Sequence, residues 1–138
     1  MQSVLRYSFI LLAALGMASC LPAKKETPPS GAQDFAEFCS TCHGASGRGD
    51  GEAAAGLAQK PADLTGLSAR NDGAFPTTRV MAQIWGYTGG KGSDRVMPEF
   101  AALLDGELVP YDGGDGILTP TPIRLVQLAE YLKTLQPQ

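Results

Sequence analysis

Cys39-Ser40-Thr41-Cys42-His43 is the stretch from which the fold can be read. Two thiols three positions apart fall on one side of a helical turn, and the histidine that follows is carried just beneath them. Each thiol can add to one of the two vinyl groups of a haem, and the imidazole can ligate the iron. C-x-x-C-H is therefore read as a c-type haem attachment site. The same Cys-x-x-Cys pair also serves as a dithiol redox motif or as half of a zinc site. Zinc needs two further ligands, and the chain has no other histidine and only one other cysteine. A thioredoxin-like site needs alternating strands and helices, which the Gly-rich flanks do not offer. One motif implies one haem.

The remaining cysteine is accounted for at the amino terminus. Residues 1–19 carry one positive charge (Arg6), an apolar run from Tyr7 to Ala18, and small residues before Cys20, the tripartite shape of a secretory signal. The apolar run is too short for a membrane span, which needs about 18–20 residues. Met17-Ala18-Ser19-Cys20 resembles the end of a bacterial lipoprotein signal, although Met17 departs from the commoner Leu. That resemblance implies that Cys20 is lipidated and becomes the mature amino terminus. Ordinary cleavage nearby, leaving a free thiol, is the alternative.

Without Arg6, ten basic and fourteen acidic side chains remain, a formal net of −4. No basic cluster is present, so the charge points to no nucleic acid and no anionic lipid surface. Leu21 to Ser30 (LPAKKETPPS) is rich in Pro and charge and reads as an unfolded spacer. At polyproline-like extension it reaches about 30 Å, enough to lift a domain clear of lipid head groups. The organisation read from the chain is a signal peptide over 1–19, a lipidated Cys and flexible spacer over 20–30, and one domain over 31–138.

Three helices can be placed in that domain. The first is expected over about Ala32 to Cys42, with Phe35, Phe38, Cys39 and Cys42 at offsets of three and four. The second is expected over about Thr77 to Trp85, with Val80, Met81, Ile84 and Trp85, stopping at Gly86. For the third, Thr121 is the expected cap and Pro122 suits the first turn. Leu125, Leu128, Ala129, Leu132 and Leu135 then form an apolar stripe. Two short extended segments, Leu108–Tyr111 and Gly116–Thr119, are expected to be joined by a turn at Asp112-Gly113-Gly114-Asp115-Gly116. That acidic turn lacks the EF-hand spacing and its terminal Glu, which argues against calcium. Gly47 to Gly51 (GRGDG) is no phosphate loop, because no Gly-Lys-Ser/Thr follows and no strand precedes it. Three helices bury little for so much loop; a haem supplies the large flat apolar body that they lack.

These features resemble the monohaem class I cytochrome c family over about residues 31–138. GASGRGDG after His43-Gly44 is similar to the glycine-rich turn of bacterial members, and Lys60-Pro61-Ala62-Asp63-Leu64-Thr65 to their Pro-Ala-Asp-Leu segment. Gly31 and Phe35 match the small and aromatic positions of the family's first helix, and Leu128 and Tyr131 their partners on the last. The resemblance implies an all-α fold in which helices and long loops wrap around one covalently bound haem c. It also implies one-electron transfer between redox proteins, not an enzyme reaction.

The sixth iron ligand is narrowed by elimination. His43 is the only histidine, and after signal removal only Met81 and Met97 remain. Arg95-Val96-Met97-Pro98-Glu99-Phe100 resembles the family's Met-Pro loop, which implies Met97 as the distal ligand opposite His43. Met81 lies in a helical apolar pattern and reads as core; a lysine, water or an empty position is the remaining alternative. Trp85 is open between a hydrogen bond to a haem propionate and a plain core role. Near the motif the charges are mixed (Glu37, Arg48, Asp50, Glu52, Lys60), and Asp105, Glu107, Asp112 and Asp115 follow Met97. With a net of about −4, a basic docking partner is expected. Taken together, the sequence predicts a lipid-anchored, monomeric electron carrier on the periplasmic side of a bacterial membrane. The alternatives are an electron-entry subunit of a larger oxidoreductase, or a haem enzyme with an open sixth site.

Overall fold

The computed structural model describes residues 27–88 and 97–137. The signal segment, Cys20 and the first part of the spacer lie outside the described residues, as do Arg95 and Val96.

The first helix, α1, runs over residues 31–43, one residue longer at each end than its apolar pattern predicts. Its start is set by Ser30, whose Oγ accepts from Gln33 N at 3.3 Å while Ser30 N donates to Gln33 Oε1 at 2.8 Å. This reciprocal capping box satisfies donors that a bare helix end leaves orphaned. The helix is not uniform: between Gly31–Asp34 and Ser40–His43, residues Phe35–Cys39 form a wide turn in which Ser40 N donates to Phe35 O. Such π-turns are often found beside functional sites. Gly44, in the left-handed region at φ 78°, ends the helix.

The following glycine-rich loop folds back on that helix end. Ala53, Gly51 and Gly49 amides donate to the carbonyls of Thr41 (3.0 Å), Cys42 (3.2 Å) and His43 (2.7 Å). These are carbonyls that the helix itself leaves unpaired. A side chain at Gly49 would place its Cβ 2.3 Å from Pro61 O, and the backbone there is left-handed at φ 74°. Only glycine fits that approach. Short 3-10 turns follow at Ala54–Gly56, Leu64–Gly66 and Ala69–Asn71.

Helix α2 spans Thr77–Trp85, as its pattern predicts, and ends at Gly86, left-handed at φ 105°. After the short helix α3 (Ala101–Leu104), strands β1 (Leu108–Asp112) and β2 (Leu118–Pro122) pair antiparallel, with Pro110 opposite Pro120. The two extended segments therefore form a hairpin, and its second strand runs further than predicted. Thr121 stays in the ladder opposite Val109 and turns its hydroxyl to Thr119 O, so it does not cap the last helix. That helix, α4, begins after Pro122 and spans Ile123–Thr134.

The core forms where α1 crosses α4, with α2 against the same side: Phe35, Ile84, Leu104, Leu125, Leu128 and Leu132 are buried. Each such side chain stabilises the fold by about 1.5–3 kcal/mol relative to exposure. The crossing is tight because a Cβ on Gly31 would lie 1.9 Å from Gln127 O. Phe35 and Tyr131 pack with ring centroids 5.3 Å apart. Helices predominate, and a small two-stranded hairpin is added to the all-α arrangement that the sequence predicts.

Candidate functional site

The last turn of α1 presents Cys39, Cys42 and His43 to a cavity of about 540 Å³. Phe35, Phe38 and Leu132 wall it from the helix crossing, Leu64 and Leu67 from the proximal loop, and Val80 and Ile84 from α2. Met97, Pro98 and Phe100 close the remaining side. The two cysteines are not paired with each other. Burial, with Asp34 and Cys42 adding unfavourable negative charge, pushes the Cys39 thiol up to about 12 and keeps it protonated. Cys39 and Cys42 are the residues that would hold a haem covalently, each through a thioether to one of its vinyl groups.

The imidazole is oriented by the loop that faces it. His43 Nδ1 lies 2.9 Å from Ala62 O. A carbonyl only accepts, so Nδ1 carries a proton and Nε2 is the ring nitrogen left to face a metal. Ala62 is held in turn by its neighbours. Asp63 caps the Leu64–Gly66 turn through Thr65 N at 2.8 Å and Thr65 Oγ1 at 2.6 Å, and Arg70 donates to Asp63 O. The hydrogen bonds from Thr65 hold the Asp63 carboxyl below its ordinary value. Gln136, just past α4, donates to Leu64 O at 2.8 Å and accepts from Ser68 N at 3.0 Å.

On the opposite side, Gln83 Nε2 is 3.9 Å from Met97 Sδ. The segment after Met97 is pinned by Phe100 N donating to Ile84 O at 3.0 Å and by Arg124 Nη1 donating to Leu103 O at 2.6 Å.

Cys39, Cys42, His43 and Met97 thus line one cavity. Met81 is buried in the core and does not line the cavity, nor does Trp85, which packs against the core from the hairpin side. The charged side chains on the cavity lining are Lys60, Arg70 and Arg79. Of the mixed charges near the motif only Lys60 belongs to it, while Asp105 and Asp115 face a second hollow against the hairpin. The parts missed by sequence reasoning are Gln83, the two arginines and the Ala62 carbonyl. Gln83 and Arg79 share the face of α2 with Val80 at helical spacing, a signal that a polar stripe beside an apolar one could have given.

The site fits a haem on its own chemistry: two unpaired thiols and an imidazole whose Nδ1 is already engaged meet at one apolar cavity, with a thioether on the same lining. A family model described as cytochrome c matches residues 30–136. Neither the curated proteins nor the solved structures contain a match to the chain. The matched span runs from the Ser30 cap past the end of α4. The chain belongs to the cytochrome c family, carrying electrons on one covalently bound haem c.

Proposed function

We propose that this chain is a one-electron carrier whose haem is held by thioethers from Cys39 and Cys42 and ligated by His43 and Met97. The observation that supports this most is the meeting of all four side chains at one cavity, with His43 Nδ1 occupied by Ala62 O. The bound haem supplies an iron that alternates between ferric and ferrous states. With His43 and Met97 both holding the iron, no position would be left on it for oxygen or peroxide. A neutral thioether donor favours the ferrous state and raises the potential above that of a bis-histidine site. The apolar walls act in the same direction, because they disfavour the more highly charged form.

The partners are redox proteins. Lys60, Arg70 and Arg79 are exposed on the lining, and no carboxylate shares it among the described residues. Even with two of these cations matched to the haem's own carboxylates, the surround is not acidic. A partner with an acidic docking face is therefore the better match at close range, the reverse of what net charge predicts. Reduction by such a partner should slow as salt rises, over a Debye length of ~10 Å at 0.1 M. The anchor is a lipid on Cys20, holding a monomer at the periplasmic side of a bacterial membrane. Cys20→Ala should move the protein from the detergent phase to the aqueous phase.

Ligation is tested by the near-infrared band that marks methionine-to-iron charge transfer. Met97→Ala should abolish the band and lower the potential. Survival of the band in that variant would remove Met97 from the site.

A further inference from the structure

Two residues past the end of α4, Gln136 uses every polar atom of its side chain. Its Nε2 donates to Leu64 O and to Leu132 O, both at 2.8 Å, and its Oε1 accepts from Ser68 N at 3.0 Å. Carbonyls only accept and a backbone N–H only donates, so these three partners leave the carboxamide one orientation. Leu64 O and Ser68 N are four positions apart, the spacing at which a helical turn would pair them directly. Here the side-chain amide is inserted between them and holds that turn open. Leu64, Ser68 and Gln136 are all half-buried, so water competes poorly for the bridge. The turn held in this way is the one that faces His43. Three successive carbonyls carry three separate bonds: Ala62 O accepts from His43 Nδ1, Asp63 O from Arg70, and Leu64 O from Gln136. Leu64 N is fixed as well, donating to Gly47 O at 2.7 Å. Of the three carbonyls, that of Leu64 is the one tied to the end of α4.

We infer that Gln136 is a positioning residue: by bracing residues 62–68 against α4 it keeps Ala62 O on His43 Nδ1, and so sets how strongly the imidazole donates to iron. The inference rests on the ligation by His43 proposed above. A hydrogen bond given from Nδ1 makes the ring a stronger donor at its other nitrogen, and a stronger donor favours the ferric state. Without the bridge, the turn has two courses. It can loosen, or it can close with Ser68 N pairing to Leu64 O. Both displace the chain beside Ala62 and weaken its bond to the ring. The imidazole then donates less.

Gln136→Met keeps the length of the side chain and removes all three bonds. In the haem-loaded variant the His43 Nδ1 hydrogen, followed by NMR in D2O, should exchange about two- to tenfold faster, the factor of one ordinary net hydrogen bond. At a fixed solution potential the ferric-to-ferrous ratio should fall, by no more than about tenfold. A brace that served stability alone would lower the denaturant midpoint and leave both readouts where they are, which would overturn the inference. Should Gln136→Met fail to take up haem, the wild-type protein decides. In mild denaturant its Ser68 amide and its His43 Nδ1 hydrogen should exchange through one shared opening. Exchange at His43 that ignores the opening at Ser68 would overturn the inference equally. Absence of paramagnetically shifted His43 ring signals from the ferric wild-type protein defeats the ligation on which the inference rests. With those signals present, unchanged exchange in Gln136→Met defeats only the role of Gln136.

Discussion

Asp34 and Arg124, ninety positions apart in the chain, meet in a two-pronged ion pair at the helix crossing, with Arg124 Nε 3.1 Å and Nη2 2.5 Å from the two carboxylate oxygens. The aspartate side chain is 0% exposed and the arginine side chain 20%. The same guanidinium donates to Leu103 O and lies 5.8 Å from the centroid of the Phe38 ring, a wall of the cavity. The pair therefore ties α1, α4 and the chain after Met97 into one unit. Removing Arg124 strands a wholly buried carboxylate, whereas removing the charge of Asp34 leaves an arginine that still reaches water. Arg124→Met should cost about 3–5 kcal/mol, as breaking a buried pair generally does, and Asp34→Asn clearly less. Denaturant midpoints of the two variants check this; an equal or reversed order would defeat the burial argument.

Gly31→Ala forces a carbon into Gln127 O. The helices must separate, at the ~1–3 kcal/mol typical of overpacking. The measurement is the denaturant midpoint of haem-loaded protein. No loss of stability would mean that the crossing is looser than described.

Met81→Ala should cost about 2–5 kcal/mol, the usual loss for a buried methionine, and leave the near-infrared band intact. A thermal melt with a spectrum of the folded state separates the two effects. A vanished band would place Met81 at the iron.

The hairpin is fastened to α4 by a cluster that titrates. Tyr111 Oη donates to Glu130 Oε1 at 2.5 Å, and Lys133 Nζ donates to Tyr111 Oη at 3.1 Å and to Glu130 Oε1 at 2.7 Å. Burial and the bond to Glu130 raise Tyr111. Burial opposes the shifts of Lys133, which is raised, and Glu130, which is lowered, but their mutual bond and the bonds to Tyr111 outweigh it. Where Tyr111 and Lys133 are raised, the folded state holds more protons than the unfolded chain above the ordinary tyrosine value of 10.0, so stability falls as pH rises. Where Glu130 is lowered, stability falls as pH drops below the ordinary glutamate value of 4.5. Thermal midpoints against pH should therefore form a plateau with losses at both ends. Tyr111→Phe should flatten the alkaline limb, and an unchanged limb would remove Tyr111 from the balance. Glu130 and Lys133 are half-exposed, so salt should shrink the whole effect.

The elements legible in the sequence are those with local causes. Thr77–Trp85 could be bounded because Gly86 accepts the left-handed backbone that ends a helix. Cys39, Cys42, His43 and Met97 could be assembled because each carries its chemistry in its own neighbourhood. Ser30 was also legible, since Ser-x-x-Gln before an apolar run is a capping box, but the Pro-rich residues before it drew it into the spacer. Thr121 has the look of a cap, and pairing with Val109 overrode it. Asp34–Arg124 and Gln83–Met97 had no local signature: partners ninety and fourteen positions apart are set by the fold alone.

The wide turn at Phe35–Cys39 separates two jobs within one helix. Residues before it, Gly31 and Asp34, are committed to the crossing with α4; residues after it, Cys42 and His43, are committed to the cofactor. In a straight helix both commitments would share one phase, with about 100° per residue fixing each side chain relative to the other. A turn that absorbs an extra residue resets that phase. A straightened helix could satisfy the packing or the attachment, not both. Grafting the C-x-x-C-H turn of this chain onto a regular helix thus requires re-indexing every contact on one side of the graft by a residue. The irregularity is part of the sequence's addressing, and deleting one residue between Phe35 and Cys39 should leave a helix that still forms yet cannot place its thiols.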